Sequence, residues 1–300
     1  MAYSSGDTIL DDHYNDFATS VNALWGTGST DSGYGNSTTV SSVSAGATIT
    51  AAQWTTLLAR MNSMASHQGT SITSISNPST GGTISAFTAL SNNIAAINTA
   101  RLTPAARQSA SNTNRDSTAT FTGTLTFTHK WAWGSANQAR YFFNAGGRLS
   151  ISGTQTGHTS DTKADNWATL LTAAGTYLIN AQTSGKSGGS GSPATNNTNY
   201  GYYDLTTSYV TVFKQLEDTS PYNANFVQWQ LKSSDSGASV ETSCTWVDSA
   251  ADTTYNKSIY TVLDQVDGTH RMIFGFEKHD TTHVADNGGS ITLSGTATGS

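Results

Sequence analysis

The spacing of apolar residues changes once along this chain, near Arg115, and the change limits what can fold on either side of it. Before it, apolar residues recur at alternating intervals of three and four, the stripe of a helix that packs against other helices. After it, they alternate with polar residues one by one, as in a half-buried strand. The expected class is therefore α+β. An N-terminal helical region of three helices over about 1–110 should precede an antiparallel β-sandwich or jelly-roll-like domain over about 115–300.

The helical part carries an internal repeat. "GDTILDDHYNDFATSVNALW" (6–25) lies over "GATITAAQWTTLLARMNSMA" (46–65) at a constant offset of forty, and "GTISAFTALSNNIAAINTARL" (82–102) is a weaker third copy. The apolar seams are Leu10, Tyr14, Phe17, Val21 and Leu24; then Trp54, Leu57, Met61 and Met64; then Phe87, Leu90, Ile94 and Ile97. Thr50 with Gln53 has the spacing of a capping box and marks the second helix start. Gly26 and Gly69 follow the first two seams as left-handed stops. Two uses of these seams stand open: closure into a three-helix bundle within one chain, or docking onto further copies and neighbouring proteins. Isolated helices of about four turns are marginal in water, so either use needs partners. The polar stretch "TPAARQSASNTNRDS" (103–117), with Pro104, reads as the linker between the two parts.

Strands are expected at 119–128, 175–182, 208–216, 225–233, 239–247, 259–266, 270–278 and 290–297, with one helical insertion at 163–175. Asp267-Gly268 has the composition of a hairpin turn between two of them. "ARYFFNAGGRLSISG" (139–153) reads as strand, turn and strand, with Gly146-Gly147 at the turn.

Ser and Thr total 89 residues and charged residues only 11% of 300, so the chain is polar without being charged; its 29 aromatic residues are available for a core. The net charge of −6 is spread out, and no cluster of Lys and Arg suits a phosphate backbone, so no nucleic-acid partner is expected. Cys244 is the single cysteine, which excludes an internal disulfide and a multi-cysteine metal site. The opening "MAYSSGDTILDDHYNDF" has no basic stretch followed by an apolar run, and no apolar span approaches twenty residues. Neither a signal peptide nor membrane insertion is expected.

The segments "RYFFNAGGRLSISG", "NWATLLTAAG", "NFVQWQLKSSD" and "HRMIFGFEKHD" together resemble a family of virion structural proteins of tailed bacteriophages, in which an FFN-x-G-G strand pair recurs in β-rich domains. The N-terminal "DDHYND", "SAGATITAAQW" and "ASHQGT" resemble what such proteins carry ahead of that domain. The resemblance spans most of the chain and rests on structural patterns. It implies a non-enzymatic virion component, made in the host bacterial cytoplasm, that binds copies of itself and other virion proteins. Tail-fibre, neck or collar, adaptor and capsid-decoration roles all stay open, as does recognition of a host-surface glycan.

Candidate chemistry is sparse. His279 and His283, spaced H-x-x-x-H, are weak metal candidates because the flanking pattern is strand and loop, where that spacing does not align two imidazoles. Gly185-Lys186-Ser187 lacks the earlier glycine of a phosphate loop, since Asn180 stands there, and "SGKSGGSGS" (184–192) reads as a flexible loop. Trp131 and Trp133 share one face of a strand and Tyr202 sits among tyrosines, so these three are candidate sugar-stacking residues, with core packing as the competing use. Asp204, Glu217, Asp218 and Glu241 have no spacing that pairs two carboxyls for glycoside cleavage, and no G-x-S-x-G elbow is present. No catalytic residue and no cofactor is expected.

Overall fold

The computed structural model describes residues 10–77, 86–159, 162–249, 254–257, 260–263 and 265–299. Its elements in chain order are α1 (Asp11–Trp25), α2 (Ala51–Gln68), α3 (Phe87–Thr99), β1 (Ser111–Ser117), β2 (Thr124–Trp133), α4 (Ala136–Asn144), β3 (Arg148–Thr156), α5 (Thr162–Ala174), β4 (Thr176–Ile179), β5 (Ser184–Ser187) and β6 (Thr195–Asn196). After them come β7 (Val210–Leu216), β8 (Phe226–Ser234), β9 (Ser239–Val247), β10 (Thr254–Lys257), β11 (Tyr260–Leu263), β12 (Thr269–Glu277), β13 (Ile291–Ser294) and β14 (Ala297–Gly299). The fold is α+β: three N-terminal helices, then antiparallel sheets arranged as a sandwich.

Two compact units divide the chain, and neither is continuous in sequence. One comprises 1–109, 140–147 and 278–289; the other 110–139, 148–277 and 290–300. This differs from consecutive regions joined by a linker, because two segments of the β-rich half belong to the helical unit. The stretch 103–117 is not a linker either. Ala105 N–H donates to His67 O, Gln108 N–H donates to Lys278 O, and residues 111–117 are β1.

In the helical unit the three seams close on one another. Tyr14, Val21, Trp54, Leu57, Met61 and Leu90 are buried, Phe17 nearly so, and Phe87 and Ile94 pack against them. Tyr14 meets Trp54 at 6.2 Å and Phe17 meets Phe87 at 5.1 Å. The seam face is therefore occupied within one chain, and of the seam residues Leu10, 52% exposed, stands outside the core. Gly6, Thr8 and Ile9 of the repeat, and the start of its third copy, lie outside the described residues. The Thr50–Gln53 capping box forms, and Gly69 ends α2 in the left-handed region at φ 67°. Gly26 does not adopt that conformation, having φ −83°; it is Gly28, at φ 50°, that turns the chain.

The connection after α1 is fixed by side chains that imitate a strand partner. Asn15 bonds both backbone groups of Val43, and Asn22 both groups of Val40, all at 2.8–2.9 Å. The two asparagines are seven residues apart, one face of a helix, so they hold an extended segment antiparallel along α1. Asn93 does the same to Thr73 from α3.

The β-rich unit has a five-stranded sheet, β1-β12-β3-β4-β5, and a seven-stranded sheet, β13-β2-β9-β8-β7-β6 with β14 also on β2; β10 and β11 pair separately. Alternation along β2 sends Leu125, Phe127, His129, Trp131 and Trp133 inward. His129 stacks on Phe274 at 4.4 Å, and Trp246 Nε1–H points to Met272 Sδ at 3.3 Å, so β2 and β9 face β12 across the core. Asp267-Gly268 does not close a hairpin: β12 pairs with β1 and β3, while β11 pairs with β10.

The expected hairpin at 139–153 is instead a helix, α4, followed by a turn and β3. Ala139, Phe142 and Phe143 are buried at helical spacing. Gly146 makes the turn at φ 88°, where a Cβ would sit 2.2 Å from Pro104.

Candidate functional site

The end of α4 shows what that segment does inside the helical unit. Arg140 and Asn144, one turn apart, point the same way. Arg140 donates to Thr27 O at 2.7 Å and Ser32 O at 2.8 Å, and Asn144 Nδ2 donates to Gly33 O at 3.0 Å. Asn287 Nδ2 adds a bond to Tyr34 O at 2.8 Å. A glycine-rich loop, 26–36, is thus gripped through its carbonyls by side chains from two distant segments. Tyr34 anchors it from below: its hydroxyl donates to Arg101 O and accepts from Gln68 Nε2, both at 2.7 Å. Burial raises the Tyr34 phenol well above its ordinary pKa, so it stays protonated.

His279 and His283 are not brought together. His279 is buried with Nε2 bonded to Val284 O at 3.2 Å, while His283 is exposed. The ring of His279 lies 5.2 Å from His67, whose Nε2 bonds Ala145 O. Burial, then the neighbouring His279, pulls His67 down to about 4, and burial lowers His279 as well. Both are neutral at pH 7. A small pocket of about 160 Å³ opens beside them, lined by Ser66, His67, Ala105, Ala106, Asp280, Thr282 and His283. Among the described residues no group of three His, Cys, Asp or Glu side chains is placed to hold a metal.

The candidate sugar-stacking residues do not form a surface platform. Trp131 and Trp133 are 0% and 5% exposed and fill the sandwich core. Tyr202 is half-buried in a short 3₁₀ turn, packed on Tyr203, with its hydroxyl donating to Gly237 O at 2.8 Å. Lys186, in the stretch read as a flexible loop, is in β5 and donates to Gly191 O. Of the carboxyls, Glu241 pairs with Lys130 and Lys232, Asp204 accepts from Gly201 N–H, and Glu217 accepts from Thr219 N–H. Cys244 is enclosed in the core, its thiol pushed up to about 12 by burial, which makes it a poor nucleophile.

One arrangement escaped the sequence reading. Lys163 in the first turn of α5 and Asp248 just past β9 form an ion pair at 2.7 Å, with side chains 0% and 1% exposed. Asp248 continues the inward alternation of Cys244 and Trp246. Register carried one residue past Leu216, Phe226 and Val247 sets Glu217, Asn225 and Asp248 side by side, and all three are buried. Glu217 N–H donates to Asn225 O, and Ser249 N–H donates to Asn225 Oδ1 at 2.8 Å. The sequence signal was a lysine at the head of the stripe Ala164, Trp167, Leu170, Leu171 and Ala174.

No family model, curated protein or solved structure matches the chain. Among the described residues no helix is long and apolar enough to cross a membrane.

Proposed function

We propose that this chain is a non-enzymatic structural component of a tailed-bacteriophage particle, of tail-fibre, neck or adaptor type, bound to other virion proteins and to copies of itself. The observation that carries the reading is the threading of the chain. It passes between the helical and β-rich units five times, after residues 109, 139, 147, 277 and 289. Five covalent passages connect the two units where consecutive domains would have one. That suits a part which transmits force between partners.

The side chains support the same reading. Arg140, Asn144, Asn287, Asn15 and Asn22 are spent on fixing loop backbone. Because the helical seams are occupied within the chain, assembly uses the outer surfaces of the units, where Ser and Thr predominate and interfaces are polar. The test is compositional. Particles of the phage that encodes the chain, purified on a density gradient and washed in high salt, should contain it at a fixed copy number by quantitative mass spectrometry. Its absence from washed particles overturns the proposal.

A further inference from the structure

The structural role leaves Lys163 and Asp248 unexplained. A buried ion pair is a costly way to join two elements, because desolvation of both charges offsets their attraction. Here the cost is increased by position: Lys163 is the second residue of α5, where the positive end of the helix dipole opposes a cation. The surroundings combine aromatic rings with the buried Glu217 and Asn225 beside Asp248. Lys163 and Trp167 share a helix face at i and i+4, and Trp246 and Asp248 share a strand face at i and i+2. Trp167 stacks on Trp246 at 5.7 Å and 14°, so the stacked indoles lie alongside the pair. Phe121 meets Trp167 edge to face at 5.7 Å. Proton transfer within the pair gives an amine and a carboxylic acid, and burial removes the water that would otherwise solvate the two ions. These are the reactive forms for condensation, and Nζ is held 2.7 Å from Oδ2, an atom bonded directly to the Cγ it would attack.

We propose that Lys163 and Asp248 condense to an intramolecular amide between Nζ and Cγ. The ammonium proton passes to the carboxylate, and the amine lone pair adds to Cγ. The nitrogen then gives a second proton to the departing hydroxyl, the C–O bond breaks, and one water leaves. Nothing is oxidised or reduced, and no cofactor enters the balance. The product is a neutral secondary amide joining the first turn of α5 to the end of β9, 85 positions apart in the chain. Both buried charges disappear, and the β-rich unit gains a covalent staple.

The experiment is the intact mass of the full chain under denaturing conditions, where an ion pair leaves no trace. The wild-type protein is expected to be lighter than its sequence by one water. Tryptic mapping should show no cleavage after Lys163 and a branched peptide joining it to the segment of Asp248. Asp248→Asn should reach the same final product by losing ammonia in place of water, whereas Asp248→Ala and Lys163→Met should keep the full mass of their own sequences. A wild-type chain of full mass overturns the proposal. So does a water loss that persists in Asp248→Ala, or that maps to cyclisation at Asp267-Gly268. If the variants fail to fold, the wild-type mass and peptide map decide alone.

Discussion

Asn22 shows at the scale of one residue how this chain, with few charges to spend, fixes its connections. Its amide accepts from Val40 N–H and donates to Val40 O, each at 2.8 Å, doing for one residue of an extended segment what a neighbouring strand would do. Val40 is 3% exposed, so removing the amide leaves a backbone donor and acceptor enclosed without partners. Asn22→Ala should therefore cost about 1–3 kcal/mol, the desolvation penalty of the orphaned groups, measured as a lower urea midpoint at unchanged slope. Asn22→Asp keeps an acceptor for the N–H but sets a carboxylate against the Val40 carbonyl, and should fall below Asn22→Gln. A midpoint unmoved in Asn22→Ala would mean that apolar contacts of Val40 and Val43 alone hold the segment. The asparagine was visible in the repeat as a position matching Asn62, yet its partner was not, because nothing local marks which loop carbonyl a polar side chain will meet.

At the scale of elements, α4 and loop 26–36 form one mechanical piece inside the helical unit. Tyr34, Gly35 and Asn36 amides donate to Leu24, Gly26 and Trp25 carbonyls, and the loop carbonyls between them are held by Arg140 and Asn144. Arg140→Ala should speed hydrogen exchange at those three amides while leaving the amides of α2 unchanged; equal exchange in both proteins would remove Arg140 from the role. Which elements could be read from sequence follows from where their stabilising partners lie. β8, β9 and β12 were legible because alternation along most of each nine-residue strand records burial of one face. α4 was misread because contiguous Tyr-Phe-Phe has strand propensity, and nine residues are too few for the helical period to outweigh it. β1, "SNTNRDS", contains no apolar residue at all, and its seven-residue pairing with β12 is a backbone matter that leaves no pattern. The Lys163–Asp248 pair was hidden for a related reason: a charged residue on an apolar stripe becomes informative only when the strand that meets it is known.

At the scale of the whole molecule, each unit encloses two neutral histidines: His67 and His279 in the helical unit, His129 and His270 in the β-rich one. Burial is the largest cause in all four, lowering His67 to about 4, His129 to about 3, and His270 and His279 in the same direction. A histidine whose folded pKa lies below its unfolded value of 6.5 contributes stability that is complete above pH 6.5 and is lost as pH falls toward the folded value, because the unfolded chain takes up the proton first. At pH 5, His67 and His129 each forfeit on the order of 2 kcal/mol, a large fraction of the 5–15 kcal/mol typical of a domain. The carboxylates Asp116, Asp235 and Glu241, held low by their hydrogen-bonded partners, act in the same direction but only further down, near and below their ordinary range. Urea midpoints should therefore fall between pH 6.5 and 4.5, in advance of carboxylate titration and in both units. His129→Phe separates this account from general acid sensitivity. A phenyl ring can keep the stack on Phe274 and the edge contact with Trp131 while removing the titrating group. Its midpoint should decline less steeply over that window than wild type; an identical decline would mean that the acid response comes from elsewhere in the fold.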